Sequence, residues 1–216
     1  MRPGWGWATG ILALALAGCA ASPAAPRNLS DLKAELRAYY RSGAYLAEVA
    51  AVCREADAWL TQRTAVGGQL MAVIDLDETL WSNWLYFEAQ DFGFVPAGWA
   101  RWVEEARAPA LSPVADLVRG LPGRGVAIVF LTGRRESERA ATLRNLRALG
   151  LGGEGRLICQ PDGDERANAA FKAAARAQLR AEGWSLILNL GDQASDLEGG
   201  EAERAFKVPN PFYRTE

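Results

Sequence analysis

The stretch Leu70-Met71-Ala72-Val73-Ile74-Asp75-Leu76-Asp77-Glu78-Thr79 decides the fold. Its first five residues are apolar without alternation, which is the pattern of a short strand covered on both faces. The run stops at Asp75 and Asp77. Two aspartates two apart on extended chain project to the same side. Each disfavours ionisation of the other unless a cation or a shared proton relieves them. Taken alone, the stretch also reads as an acidic turn after a strand.

Working outward, two more apolar runs end in the same way. Val126 to Leu131 leads into Thr132, and Leu186 to Leu190 leads into Gly191-Asp192. A short strand is expected around Arg156 to Cys159, and amphipathic helices around residues 136 to 149 and 166 to 182. Apolar strands alternating with helices predict an α/β fold, a parallel sheet with helices on both faces. Ligands of such sheets bind outside the carboxyl ends of the strands, where Asp75, Thr132 and Asp192 all fall. Upstream, Asn28 is a plausible N-cap with Asp31 three positions on. From there to about Arg63 the pattern is a helical arm, broken near Ser42-Gly43. Leu46, Val49, Cys53 and Leu60 share one face of it, and Tyr39, Tyr40 and Trp59 are expected to pack the arm onto the domain.

Each strand end has a chemical and a plain reading. At Thr132-Gly133-Arg134, a hydroxyl and free backbone N–H groups at a helix start would make an anion site; a capped turn would look the same. Gly191-Asp192-Gln193-Ala194-Ser195-Asp196 brings two carboxylates, four apart, to the same edge. It is also readable as a Gly-Asp turn with an N-cap. Lys172 lies on the helix before the third run, where a lone lysine is usually a solvated one.

The 216 residues suit one domain with a small insertion. Half are hydrophobic, and the net charge of −2 without basic clusters speaks against nucleic acid as a partner. There is no histidine. That excludes Ser-His-Asp triads, Cys-His pairs, phosphohistidine chemistry and His-rich zinc sites.

Residues 1 to 19 read as a processing signal, with Arg2 followed by the short apolar run Ile11 to Ala17. Leu16-Ala17-Gly18-Cys19 resembles the lipobox of bacterial lipoproteins, in which the cysteine is lipidated; the alternative is secretory cleavage near Ala20 or Ala21. The resemblance implies a lipid anchor on Cys19 and a place in the bacterial cell envelope. With Ala20 after the cysteine, sorting to the outer membrane, facing the periplasm, is expected. Residues 20 to 27 read as a tether and 28 to 216 as the domain. Export would place Cys53 and Cys159 in an oxidising compartment, as a disulfide or as two buried thiols.

Together these motifs, in this order, resemble those of the haloacid dehalogenase-like superfamily. Asp75 to Asn83 (D-L-D-E-T-L-W-S-N), Trp99 to Leu111 and the ending Phe206 to Tyr213 are more specifically similar to the subfamily IIIB acid phosphatases. That group includes plant acid phosphatases, vegetative storage proteins and bacterial class C acid phosphatase lipoproteins. The resemblance implies a Rossmann-like sheet and hydrolysis of small phosphomonoesters. Asp75 would be the nucleophile, and Asp77 the general acid and base, protonated in the first step, which predicts an acidic pH optimum. Thr132, Gly133 and Lys172 would hold the phosphoryl oxygens. Asp75, the carbonyl of Asp77 and Asp192 would hold Mg²⁺, or Mn²⁺ or Co²⁺, with Asp196 either a ligand through water or the residue that orients Lys172. Gly191 to Asp196 is nearer the plant-type form, whereas the lipobox points to the bacterial branch. A phosphotransferase and a lipid-anchored binding protein without turnover are the competing functions.

Between the first two motifs, at about residues 81 to 111, lies an aromatic insert. Trp81, Trp84, Tyr86, Phe87, Phe92, Phe94, Trp99 and Trp102 fall within 22 residues. Either they are the core of a small cap, or Trp81, Trp84, Trp99 and Trp102 form a lid that stacks on a nucleoside or aryl leaving group.

Overall fold

The computed structural model describes Met1 and residues 25–153 and 155–215. Cys19 and the signal segment lie outside the described residues.

Helix α1 (Leu29–Arg41) starts at Asn28, whose side chain accepts a hydrogen bond from the Ser30 N–H at 2.8 Å. Gly43, at φ +82°, breaks the arm where expected, and α2 (Ala44–Thr64) follows. The buried face of α2 is Tyr45, Val49, Cys53, Ala56 and Leu60, spaced to stay on one stripe. Leu46, expected on that face, is exposed because Tyr45 takes the place that faces the domain. Tyr40 stacks on Trp84 with ring centroids 4.0 Å apart, and the Trp59 indole donates to the Ile187 carbonyl at 2.7 Å. The arm is thereby fixed to the domain.

The sheet is parallel, with strand order β3-β2-β1-β4-β5. The strands are β1 (Leu70–Ile74), β2 (Val126–Arg135), β3 (Gly155–Gln160), β4 (Ser185–Gly191) and β5 (Ala205–Lys207). Every residue of β1 is buried, as befits the central strand. Leu70, Ala72 and Ile74 face α2 and the helix α5 (Ser112–Gly120), whereas Met71 and Val73 pack with Phe171 and Leu179 of α7 (Asn168–Ala181). Alternate side chains thus serve the two faces. The order of strand addition reverses between β1 and β4, and the carboxyl ends of those two strands carry Asp75 and Asp192.

Two elements differ from the sequence expectation. β2 does not end at Leu131 but continues extended to Arg135, slipping register against β3 between Thr132 and Arg135. Thr132 and Gly133 therefore sit on a strand extension, and α6 (Arg139–Ala148) begins only after a 3₁₀ turn at Glu136–Glu138. β5 was not expected, because Ala205-Phe206-Lys207 is an edge strand with one buried residue. The insert consists of α3 (Trp84–Ala89) and α4 (Pro96–Glu105). Its ends are joined by Ser82 N–H to Pro109 O and Leu111 N–H to Leu80 O. Cys53 and Cys159 are buried free thiols, not a disulfide, and burial pushes both up to about 11.

Candidate active site

The carboxyl ends of β1, β2 and β4 open on a cavity of about 400 Å³. Asp75, Asp77, Thr132 and Gly133 line it, together with Lys172, Asp192 and Asp196. The residues singled out at the strand ends are thus brought to one place from segments up to 121 positions apart (Asp75 to Asp196).

Asp75 extends the β1–β4 pairing by one bond, its N–H donating to Leu190 O at 2.9 Å. The carboxylate then stands at the sheet edge, where Lys172 Nζ donates to Asp75 Oδ1 at 2.6 Å and to Asp196 Oδ1 at 2.5 Å. Lys172 is 4% exposed, so it is not the solvated lysine of the plain reading. Burial disfavours its charge, but Asp75 and Asp196 outweigh burial and hold the ammonium above its ordinary range.

Oxygen atoms of Asp75, Asp192 and Asp196 lie within 4.8 Å of one another. Three carboxylates against the one ammonium that bridges two of them leave two negative charges in a buried site. Burial and the Asp196 charge drive Asp75 well above its ordinary value, against the pull of Lys172. Burial and Asp196 likewise push Asp192 up to about 7. A divalent cation would remove this conflict, and an all-oxygen donor set suits a hard one. The residues present therefore fit a divalent metal ion. Gly191 is required here, because a Cβ on it would fall on the Asp196 side chain.

Asp77 is held differently. Arg134 Nε donates to Asp77 Oδ2 at 2.8 Å and Arg134 Nη2 to Oδ1 at 2.7 Å. The Trp81 indole and the Asn83 amide each donate to Oδ1 at 2.9 Å. Burial alone would raise this carboxyl; the Arg134 charge and these hydrogen bonds outweigh burial and hold it below its ordinary value. This geometry favours the ionised form of Asp77, whereas the expected role as general acid needs its proton during the first step. Glu78, at φ +55° and fully buried, accepts from Asn83 and from the Tyr213 hydroxyl at 2.8 Å. Burial and Asp77 push it up to about 7.

The four tryptophans separate. Trp99 lines the cavity with Phe87, Phe92 and Phe94. Trp81, Trp84 and Trp102 are buried and do not line it, which corrects their expected place in a lid. Trp81 lies under the Arg134 guanidinium at 4.8 Å, Trp84 under Tyr40, and the Trp102 indole donates to Asn83 Oδ1 at 2.7 Å. They are the packing that fixes Arg134, the arm and Asn83. Sequence reasoning assigned no role to Arg134, Asn83, Asn210 or Tyr213. The signal available for the last two was the Pro209-Asn210-Pro211-Phe212-Tyr213 ending itself.

Such a sheet with this acidic edge defines a class, and residues 16–216 match the family described as HAD superfamily, subfamily IIIB (Acid phosphatase). The chain belongs to that family. It is 35% identical to Acid phosphatase 1 of Solanum lycopersicum over 151 residues, 68% of this chain and 59% of that protein. It is 30% identical to Vegetative storage protein 1 of Arabidopsis thaliana over 145 residues, 65% of this chain and 54% of that protein. The chain thus spans less than two thirds of the length of these relatives. Among solved structures, the class C acid phosphatase from Bacillus anthracis superposes with a TM-score of 0.72 at 22% identity, covering 86% of each chain. At that identity the likeness is one of fold.

Proposed function

We propose that the protein is a metal-dependent phosphatase that hydrolyses small phosphomonoesters through an aspartyl-phosphate on Asp75. The observation that carries this reading is the Asp75 carboxylate, fixed by Lys172 within a buried carboxylate cluster at the floor of an open cavity. Family membership supports it.

In the first step an Asp75 oxygen attacks phosphorus, the bond from phosphorus to the ester oxygen breaks, and the leaving oxygen takes a proton. In the second, water attacks the same phosphorus and the bond to Asp75 breaks, which restores the carboxylate and releases inorganic phosphate. Lys172, Thr132 and the backbone N–H of Gly133 would hold the phosphoryl oxygens as charge redistributes. Asp77 gives and retrieves the proton, and to do so it must part from Arg134. Asp75, the carbonyl of Asp77, Asp192 and Asp196 would hold the divalent cation, with Mg²⁺ as the first choice. When bound, it offsets the repulsion between anionic nucleophile and anionic ester. Phe87, Phe92, Phe94 and Trp99 give the cavity an aromatic part of its lining, which favours an aryl or nucleoside leaving group. The test is acid quenching during turnover of a labelled phosphomonoester. Label retained on the peptide containing Asp75 supports the intermediate; turnover with no protein-bound label sinks it.

The same reading places the mature chain on the bacterial envelope, held by lipid on Cys19 and facing the periplasm. Its support is the Leu16-Ala17-Gly18-Cys19 pattern. No described helix is long and apolar enough to cross a membrane. Cys19→Ser should shift the protein from the membrane to the soluble fraction, and an unchanged distribution would refute the anchor.

A further inference from the structure

The ending Val208-Pro209-Asn210-Pro211-Phe212-Tyr213 is absorbed by none of the roles above. β5 pairs beside β4, and the Val208 N–H donates to the Gly191 carbonyl at 2.9 Å. That bond ties the chain to the strand end that carries Asp192. Two residues on, Asn210 Nδ2 donates to Asp192 Oδ2 at 2.6 Å. The other end of the same amide, Oδ1, accepts from the Phe212 N–H at 2.9 Å, so one side chain both shapes the turn and reaches the carboxylate. Gln193 Nε2 donates to the same Oδ2. Oδ2 is therefore occupied by two amide donors, whereas Oδ1 has a single hydroxyl, Thr79 Oγ1, at 3.2 Å.

We propose that Asn210 is a positioning residue for Asp192: by occupying Oδ2 it turns Oδ1 toward Asp75 and Asp196 and holds it there for the cation. The inference rests on the metal-dependent reading of the site. Metal-ligating carboxylates gain affinity from such partners, and losing one typically lowers metal affinity by about 10–100-fold. The C-terminal segment is then part of the metal site as well as the wall of the cavity, where Tyr213 and Thr215 also lie.

The test is Mg²⁺ and Mn²⁺ binding by titration calorimetry to the full chain in detergent, comparing wild type with Asn210→Ser. Serine keeps an acceptor for the Phe212 N–H but is too short to reach Asp192. The expected result is a Kd raised about tenfold or more, with the melting temperature in EDTA unchanged. An equal Kd in a folded variant overturns the proposal. Wild type that binds neither ion overturns the metal reading itself, and the proposal with it. If Asn210→Ser does not fold, the side-chain amide of Asn210 in ¹⁵N-labelled wild type decides. A resonance shifted from the solvent-exposed position that moves on adding Mg²⁺ supports the role. A solvent-like resonance indifferent to Mg²⁺ refutes it.

Discussion

Arg134 grips Asp77 with two hydrogen bonds side by side, Nε to Oδ2 at 2.8 Å and Nη2 to Oδ1 at 2.7 Å. The pair is nearly out of solvent, with side-chain exposures of 4% and 17%. Arg134 lies 4.8 Å from the Trp81 ring and 5.7 Å from that of Trp99, so it connects the aromatic insert to the second aspartate of the motif. A carboxylate so bound is an ionised one. In the proposed reaction, proton transfer by Asp77 would begin with its separation from Arg134.

Removing one member of this pair leaves the other buried and uncompensated, which typically costs about 3–5 kcal/mol. Arg134→Ala should therefore lower unfolding stability by that order, measured by denaturant titration. Asp77→Ala/Arg134→Ala should cost less than the sum of the single changes. Strict additivity would mean that the two side chains do not act as a pair.

The metal-free site makes stability depend on pH. Folding raises Asp75, Asp192 and Glu78 above their unfolded values, to about 7 for the last two. Groups raised in the folded state contribute stability that is complete below their unfolded values, near pH 4, and is lost as pH rises through the folded ones. In EDTA the melting temperature should fall between pH 5 and pH 8. Mg²⁺ should restore more of it at pH 8 than at pH 5, because at pH 5 protons compete for Asp192. A melting temperature in EDTA that rises over this range would contradict the carboxylate cluster.

The tryptophans of the insert should fall into two groups. Trp84→Ala removes a buried ring stacked on Tyr40 and should cost about 3–5 kcal/mol of stability. Trp99→Ala should spare most of that and lower kcat/KM for an aryl phosphate relative to an alkyl phosphate by about 2–10-fold, the range of a stacking contact of about 0.5–1.5 kcal/mol. An unchanged ratio would remove Trp99 from the substrate site.

Gly191→Ala places a methyl group on the Asp196 side chain. Asp196 must then withdraw from Lys172, and Mg²⁺ affinity should drop together with turnover while the sheet stays folded. Circular dichroism and calorimetry check both halves; a folded variant with wild-type affinity would show that Asp196 is not needed in its present place.

The central strands and the acidic edge were legible because the sequence writes them locally. Leu70–Ile74 and Val126–Leu131 are unbroken apolar runs, Leu186–Leu190 is interrupted only by Asn189, and each ends within two residues of one that lines the cavity. What was not legible depends on tertiary contact. β5 has one buried residue and no apolar run, so only its neighbour β4 makes it a strand. Trp81, Trp84, Trp99 and Trp102 are chemically alike, and only the path of α3 and α4 determines which one meets the cavity. Nothing local joins Asn210 to Asp192, or Arg134 to Asp77 across 57 positions.

The most direct measurement is turnover of a chromogenic aryl phosphate by the full chain in detergent, from pH 4 to 8. Mg²⁺ is compared with excess EDTA, and wild type with Asp75→Asn. The account predicts hydrolysis that needs the metal and disappears in the variant, because the amide cannot attack phosphorus. Hydrolysis that persists in Asp75→Asn, or no turnover by wild type at any pH with Mg²⁺, Mn²⁺ or Co²⁺, would contradict it.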